Sequence, residues 1–123
     1  MIGIETSEGR RTFRPGERLE GSLSWSLAEP AKAIEVRLFW FTSGKGDRDV
    51  AVVDRLLLAN PPAAESRRPF RFELPAEPWS FSGSLVTLSW ALEAVALPSN
   101  ESVLLDLVVS PTDEEIRLPR VEP

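Results

Sequence analysis

Three stretches of this sequence combine residue types and spacings that chemistry can use. The first, RPGERLEGSLSW at 14–25, places Gly16, four residues and Gly21 in series. That is the opening of a phosphate-binding loop, where backbone N–H groups and a following Lys hold phosphate. Here the Lys position is Ser22, and strand-period alternation follows. The stretch therefore reads as a turn feeding a strand: Pro15 presets φ, Gly16 supplies a positive φ, and Gly21 marks a bulge or a close crossing. The second, SGKGD at 43–47 with Asp47 and Asp49, has carboxylates suited to calcium but lacks the further ligands and distal Glu of an EF-hand. It reads as a hairpin turn. The third group is dispersed: Glu17, Glu20, Glu35, Glu73, Glu77 and Glu93 offer carboxylates, of which a glycosidase needs two at about 5–9.5 Å. Those inside strands fall on the polar parity, where a solvated face accounts for them.

Composition removes most other chemistries. The chain of 123 residues has no Cys, no His and no Tyr. Disulfides, zinc clusters, thiol nucleophiles and His-based triads are excluded, and no catalytic residue, cofactor or metal site is assigned. With 14 Lys and Arg against 19 Asp and Glu, the net charge of −5 opposes nucleic acid or an anionic bilayer at long range. The opening residues MIGIETSEGRR lack the basic and apolar regions of a secretory signal, and no apolar run approaches a membrane span. A cytoplasmic protein with no membrane span is expected.

The elements that position these residues are strands. Leu19, Gly21, Leu23, Trp25 and Leu27 share one parity, and Glu20, Ser22, Ser24 and Ser26 the other. Ile34, Val36, Leu38 and Trp40 repeat the pattern, as do Phe70, Phe72 and Leu74, and Ile2 with Ile4 opens the series. In 84–97, Val86, Leu88, Trp90, Leu92 and Ala94 share a parity; 102–109 closes the set. Residues 50–59 are apolar on both parities and fit either a doubly buried strand or a helix; β-branched Val50, Val52 and Val53 favour strand. Turn residues separate these runs. About eight short strands predict an all-β, two-sheet sandwich over 1–110, with an extended charged tail at 111–123.

TFRPGERLEGSLSW, AIEVRLFW, FRFELP with SFSG, and LSWALEA resemble, in that order, the N-terminal lobe of the arrestin-like family. The matching positions are Phe13, Pro15, Gly16, Glu17 and Gly21; Phe70, Phe72, Leu74 and Pro75; Ser80, Phe81 and Gly83; and Leu88, Trp90, Leu92 and Ala94. The match covers most of 1–97 and rests on the order and spacing of the motifs. It implies an immunoglobulin-like β-sandwich whose relatives are non-enzymatic adaptors that bind proteins. Arrestins and retromer cargo adaptors have two such lobes, and the match here is to one.

The residues singled out for partner binding are Phe39, Phe41, Trp79, Arg67 and Arg68. If Trp40 joins Leu38 and Val36 in the core, Phe39 and Phe41 point outward beside Glu35 and Arg37. Outward aromatics suit a protein interface or a second copy of the domain, and equally a loop folded over them. Trp79 in EPWSF either plugs one end of the sandwich or stands exposed. Arg67, Arg68 and Arg71 suit an acidic peptide or a phosphate, or are a solvated loop. Second-face residues Val53, Leu57, Leu104 and Val108 suggest a homodimer built on one sheet. The alternative function is a small-ligand or carbohydrate-binding sandwich that stacks sugars on Trp79, Phe39 or Phe41.

Overall fold

The computed structural model describes residues 1–44, 49–83 and 86–112 in full, and 116–117 as backbone. Among them are ten strands: β1 (Ile2–Thr6), β2 (Thr12–Phe13), β3 (Arg18–Ser26), β4 (Ala33–Gly44), β5 (Val50–Ala59), β6 (Glu65–Glu73), β7 (Phe81–Ser82), β8 (Val86–Leu97), β9 (Glu101–Val109) and β10 (Ile116–Arg117). A small antiparallel sheet has the order β1-β3-β6. The large sheet runs β5-β4-β8, and the far edge of β8 is shared by β9, against residues 90–96, and β7, against 87–88. Two-residue parallel additions complete it, β2 beside β9 and β10 beside β7. The strand count exceeds eight because β2, β7 and β10 are too short to show a period of two.

The expected parity is the buried one. Leu19, Leu23 and Trp25 of β3 face Ile34, Val36 and Leu38 of β4, with Leu88, Trp90, Leu92 and Ala94 of β8 in the same core. Burying each large side chain contributes roughly 1.5–3 kcal/mol. Tryptophan carries a polar N–H into this core, and each buried indole is satisfied by a loop carbonyl: Trp90 Nε1 donates to Pro78 O at 3.0 Å, and Trp25 Nε1 to Ala63 O at 2.9 Å. Residues 50–59 form strand β5. The register against β4 shifts twice, between Ile34 and Glu35 and between Leu38 and Phe39. Such bulges reset which side a residue faces, so the consecutive residues Leu58 and Ala59 both pack on the core with Leu56, while Leu57 stands outside.

Motifs distant in sequence meet at one end of the sandwich. Glu17 N donates to Arg14 O at 3.0 Å across Pro15 and Gly16, and Gly16 has φ 79°, the Pro-Gly arrangement of a type II turn. Gly16 N then donates to Pro75 O at 3.2 Å, and Leu74 N to Glu17 O at 3.0 Å. The Pro-Gly-Glu turn is thereby clipped to the Leu-Pro that follows β6. Ser80 of SFSG is fully buried; its N–H donates to Val109 O and its Oγ accepts from Val109 N. Gly21 is a close crossing, because a Cβ there would lie 2.4 Å from Glu5 O and 2.7 Å from Phe70 Cζ.

Candidate interaction face

The outer face of the large sheet is built by register. Because opposed residues on paired strands share a face, the pairings across β5, β4, β8 and β9 define rows of side chains. The first row holds Val50, Phe41 and Ser89, with Val108 beyond them on β9. The second is Val52, Phe39, Ala91 and Asp106, and the third is Arg55, Arg37, Glu93 and Leu104. The fourth is Leu57, Glu35, Val95 and Ser102.

Phe39 and Phe41 lie two apart on one strand, and their ring centroids are 5.9 Å from each other, in aromatic contact. Both are half-buried. Beside them on β5, Val50 is 64% exposed and Val52 41%, so the four side chains make one apolar corner. Leu57 and Leu104, each 59% exposed, stand on the two flanks of the face.

The centre of the face is charged. Arg37 lies between two of the candidate carboxylates, with NH1 3.2 Å from Glu93 Oε1 and Nε 3.4 Å from Glu35 Oε1. The Nε is buried and, although within ion-pair distance of Glu35, has no hydrogen-bond partner. Both carboxylates are thus held by one guanidinium, which suits a structural cross-brace. Glu17 is likewise committed. Its Oε2 is 2.7 Å from Arg10 NH1 and its Oε1 accepts the Arg14 N–H at 2.8 Å. The Arg10 guanidinium, itself 4.7 Å from the Phe13 ring centre, holds the Glu17 carboxyl below its ordinary range against the opposing effect of partial burial.

Arg67 and Arg68 do not form one site. Arg67 stands on the outer face of the small sheet, where it pairs with Glu5 at 2.6 Å and donates to Ser22 Oγ at 2.9 Å. Arg68 has the inward parity of Phe70 and Phe72 but is exposed, since β6 is an edge strand. Arg71 is paired in register with Glu20. Trp79 lies in the connection from β6 to β7, 41% exposed, with its Nε1 donating to Ala76 O at 2.8 Å. Its neighbours Pro78 and Ser80 are tied to the inward-facing Trp90 and to Val109, so Trp79 belongs to one end of the sandwich and not to the face that carries Phe39 and Phe41. A single stacking platform from the three aromatics is not formed. Of SGKGD at 43–47, Ser43 and Gly44 end β4 and the rest lies outside the described residues, as does most of the tail at 111–123.

Val50 and Val52 complete the apolar corner, and no sequence signal joined them to Phe39. The β4–β5 register that brings them together contains a bulge, which alternation alone does not locate. Among the described residues, no helix is long and apolar enough to cross a membrane.

No family model matches the sequence, and no curated protein matches it. Eighty-seven solved chains match the fold. One is Spo0M, a sporulation control protein from Bacillus subtilis, with a TM-score of 0.62 and 17% identity over 89% of this chain. The chain spans about half of Spo0M, 48% of its length. At that identity the likeness concerns architecture, and it agrees with the two-sheet topology described above: the chain has an all-β, arrestin-like sandwich fold.

Proposed function

We propose that this domain is a non-enzymatic protein-interaction module, an adaptor or scaffold of arrestin-like fold, that binds through the outer face of its large sheet. The observation that carries the reading is the corner of Phe39, Phe41, Val50 and Val52 on a face whose central strands, β4 and β8, are paired on both sides. An apolar cluster on a rigid sheet desolvates readily and suits the centre of an interface, while the charged side chains beside it set orientation. The Spo0M likeness supports the reading at the level of fold, and the lack of Cys fits a reducing, cytoplasmic setting.

Strand addition at an edge is the less favoured mode. The free edge of β6 carries Pro69, Arg67, Arg68 and Arg71, and that of β5 carries Asp54, Arg55 and two bulges. These are the devices by which edge strands resist pairing. The two other edge strands, β1 and β9, adjoin each other, and contact through the face is preferred because the face carries the apolar corner.

The test compares proteins recovered on tagged wild type with those recovered on Phe39→Ser/Phe41→Ser, with folding checked by circular dichroism. Loss of one or more specific proteins from the variant is expected. An identical set on both would overturn the reading.

A further inference from the structure

We infer that the partner of this face is a second copy of the chain, related by a two-fold axis that runs parallel to the strands between β4 and β8. The inference rests on the protein-binding reading above and adds the identity of the occupant. It follows from how charge and apolar surface are distributed over the rows.

The face is electrically divided across its strands. Arg55 and Arg37 lie on the β5–β4 half, and Glu93 and Asp106 on the β8–β9 half. Glu35 alone runs against this division, and it is already held by Arg37. A two-fold axis along the strands lays each half over the opposite half of its mate, so β4 covers β8 and β5 covers β9. Arg37 then faces Glu93 of the second copy in the same row. Phe41 faces the small side chain of Ser89 of the second copy, and Phe39 lies over the position of Ala91, which its own neighbours already bury, so that the ring rests on the side chains around it.

The flanks match as well. Stacked sheets cross at about 30° because each is twisted, which offsets the outer strands along their length relative to the central pair. At about 7 Å from the axis this crossing offsets facing residues by roughly 4 Å, more than half of the roughly 7 Å between rows, and side chains span the rest, so three contacts form on each flank. Val52 meets Val108 of the second copy, Arg55 meets Asp106 of the second copy, and Leu57 meets Leu104 of the second copy. The two leucines most exposed within strands are thereby covered by each other. Among the described residues, neither Arg55 nor Asp106 has an ion-pair partner within its own chain, and the three strand spacings between them, about 14 Å, prevent them from pairing there. A self-complementary surface of this kind is what an isologous dimer requires.

Sedimentation equilibrium of the intact chain tests the inference, with Arg55→Asp and Asp106→Arg as probes. Both positions are exposed, so the fold is retained and is checked by circular dichroism. The wild type is expected to be a reversible dimer. Each variant alone is expected to weaken it by about tenfold or more, since like charges then oppose each other twice. Mixing the two variants in equal amounts is expected to restore a heterodimer of wild-type strength. A second readout uses the absence of native Cys. Leu57→Cys mixed with Leu104→Cys should cross-link through a short bismaleimide faster than either variant alone.

A wild type that stays monomeric, a dimer indifferent to both charge changes, or a mixture that fails to re-associate would overturn the inference. If the wild type is monomeric while Phe39→Ser/Phe41→Ser still loses captured proteins, the second copy is wrong and the adaptor reading stands. If the dimer behaves as described and capture is unchanged, the dimer stands and an adaptor role through this face does not.

Discussion

Replacing Gly21 by Ala adds one methyl group where β3 passes close to Glu5 of β1 and Phe70 of β6. The new Cβ would lie 2.4 Å from Glu5 O and 2.7 Å from Phe70 Cζ, both well inside contact distance. The ring has some freedom to tilt, but the carbonyl does not, because Glu5 and Thr6 are fixed in register against Ser22 and Gly21. Overpacking of this kind costs about 1–3 kcal/mol. The gain from a less flexible unfolded chain, about 0.4–1 kcal/mol, offsets part of it. Because the carbonyl cannot yield, the cost lies in the upper part of the overpacking range, about 2–3 kcal/mol, and a net loss of about 1–2.5 kcal/mol is expected. With an unfolding entropy of roughly 0.26 kcal/mol/K for a chain of this length, the melting temperature should fall by about 4–10 °C. Urea and thermal unfolding followed by tryptophan fluorescence measure this directly. In a Phe70→Leu background the cost should persist if the carbonyl is the main obstacle, and shrink if the ring is. A Gly21→Ala variant as stable as the wild type would refute the close-crossing argument.

Glu17→Gln should lower stability by about 1 kcal/mol near neutral pH, as it removes a partly exposed charge-assisted bond to Arg10. Because the folded carboxyl titrates below its ordinary value of 4.5, the contribution is fully present above that pH and is lost as pH falls through the folded value. Wild type and variant should therefore converge in urea titrations at acidic pH, and a gap constant with pH would contradict the assignment. Ser80→Ala leaves the buried Val109 N–H without its acceptor, which should cost about 1–3 kcal/mol and speed exchange of that amide by hydrogen-exchange NMR. Arg67→Ala should change stability by less than about 0.5 kcal/mol, since its pair with Glu5 is 65% exposed on both sides; a larger loss in urea unfolding would show that the small sheet depends on it.

The fold class was legible from particular residues. Leu19, Leu23 and Trp25 on one parity and Ser22, Ser24 and Ser26 on the other announce a strand with one buried face. Local chemistry settles such a segment, because alternation reports the pleat directly. Pro15-Gly16 announced its own turn for the same reason. Position 50–59 was harder, since a bulged edge strand places apolar residues on both sides and blurs its period. The candidate site was legible only in part. Phe39 and Phe41 were readable as outward once Leu38 was placed inward, but their neighbours Val50 and Val52 were not.

By itself, then, the sequence determined an all-β architecture, the inward parity of each long strand and the lack of thiol and imidazole chemistry. Tertiary structure decided what register decides. It set Val50 and Val52 beside the two phenylalanines, committed Glu35 and Glu93 to Arg37, paired Arg67 with Glu5 and Ser22, and removed Trp79 from the aromatic corner. The physical reason is that alternation specifies the side a residue faces, whereas the partner across the strand is fixed by long-range pairing and by bulges that shift it.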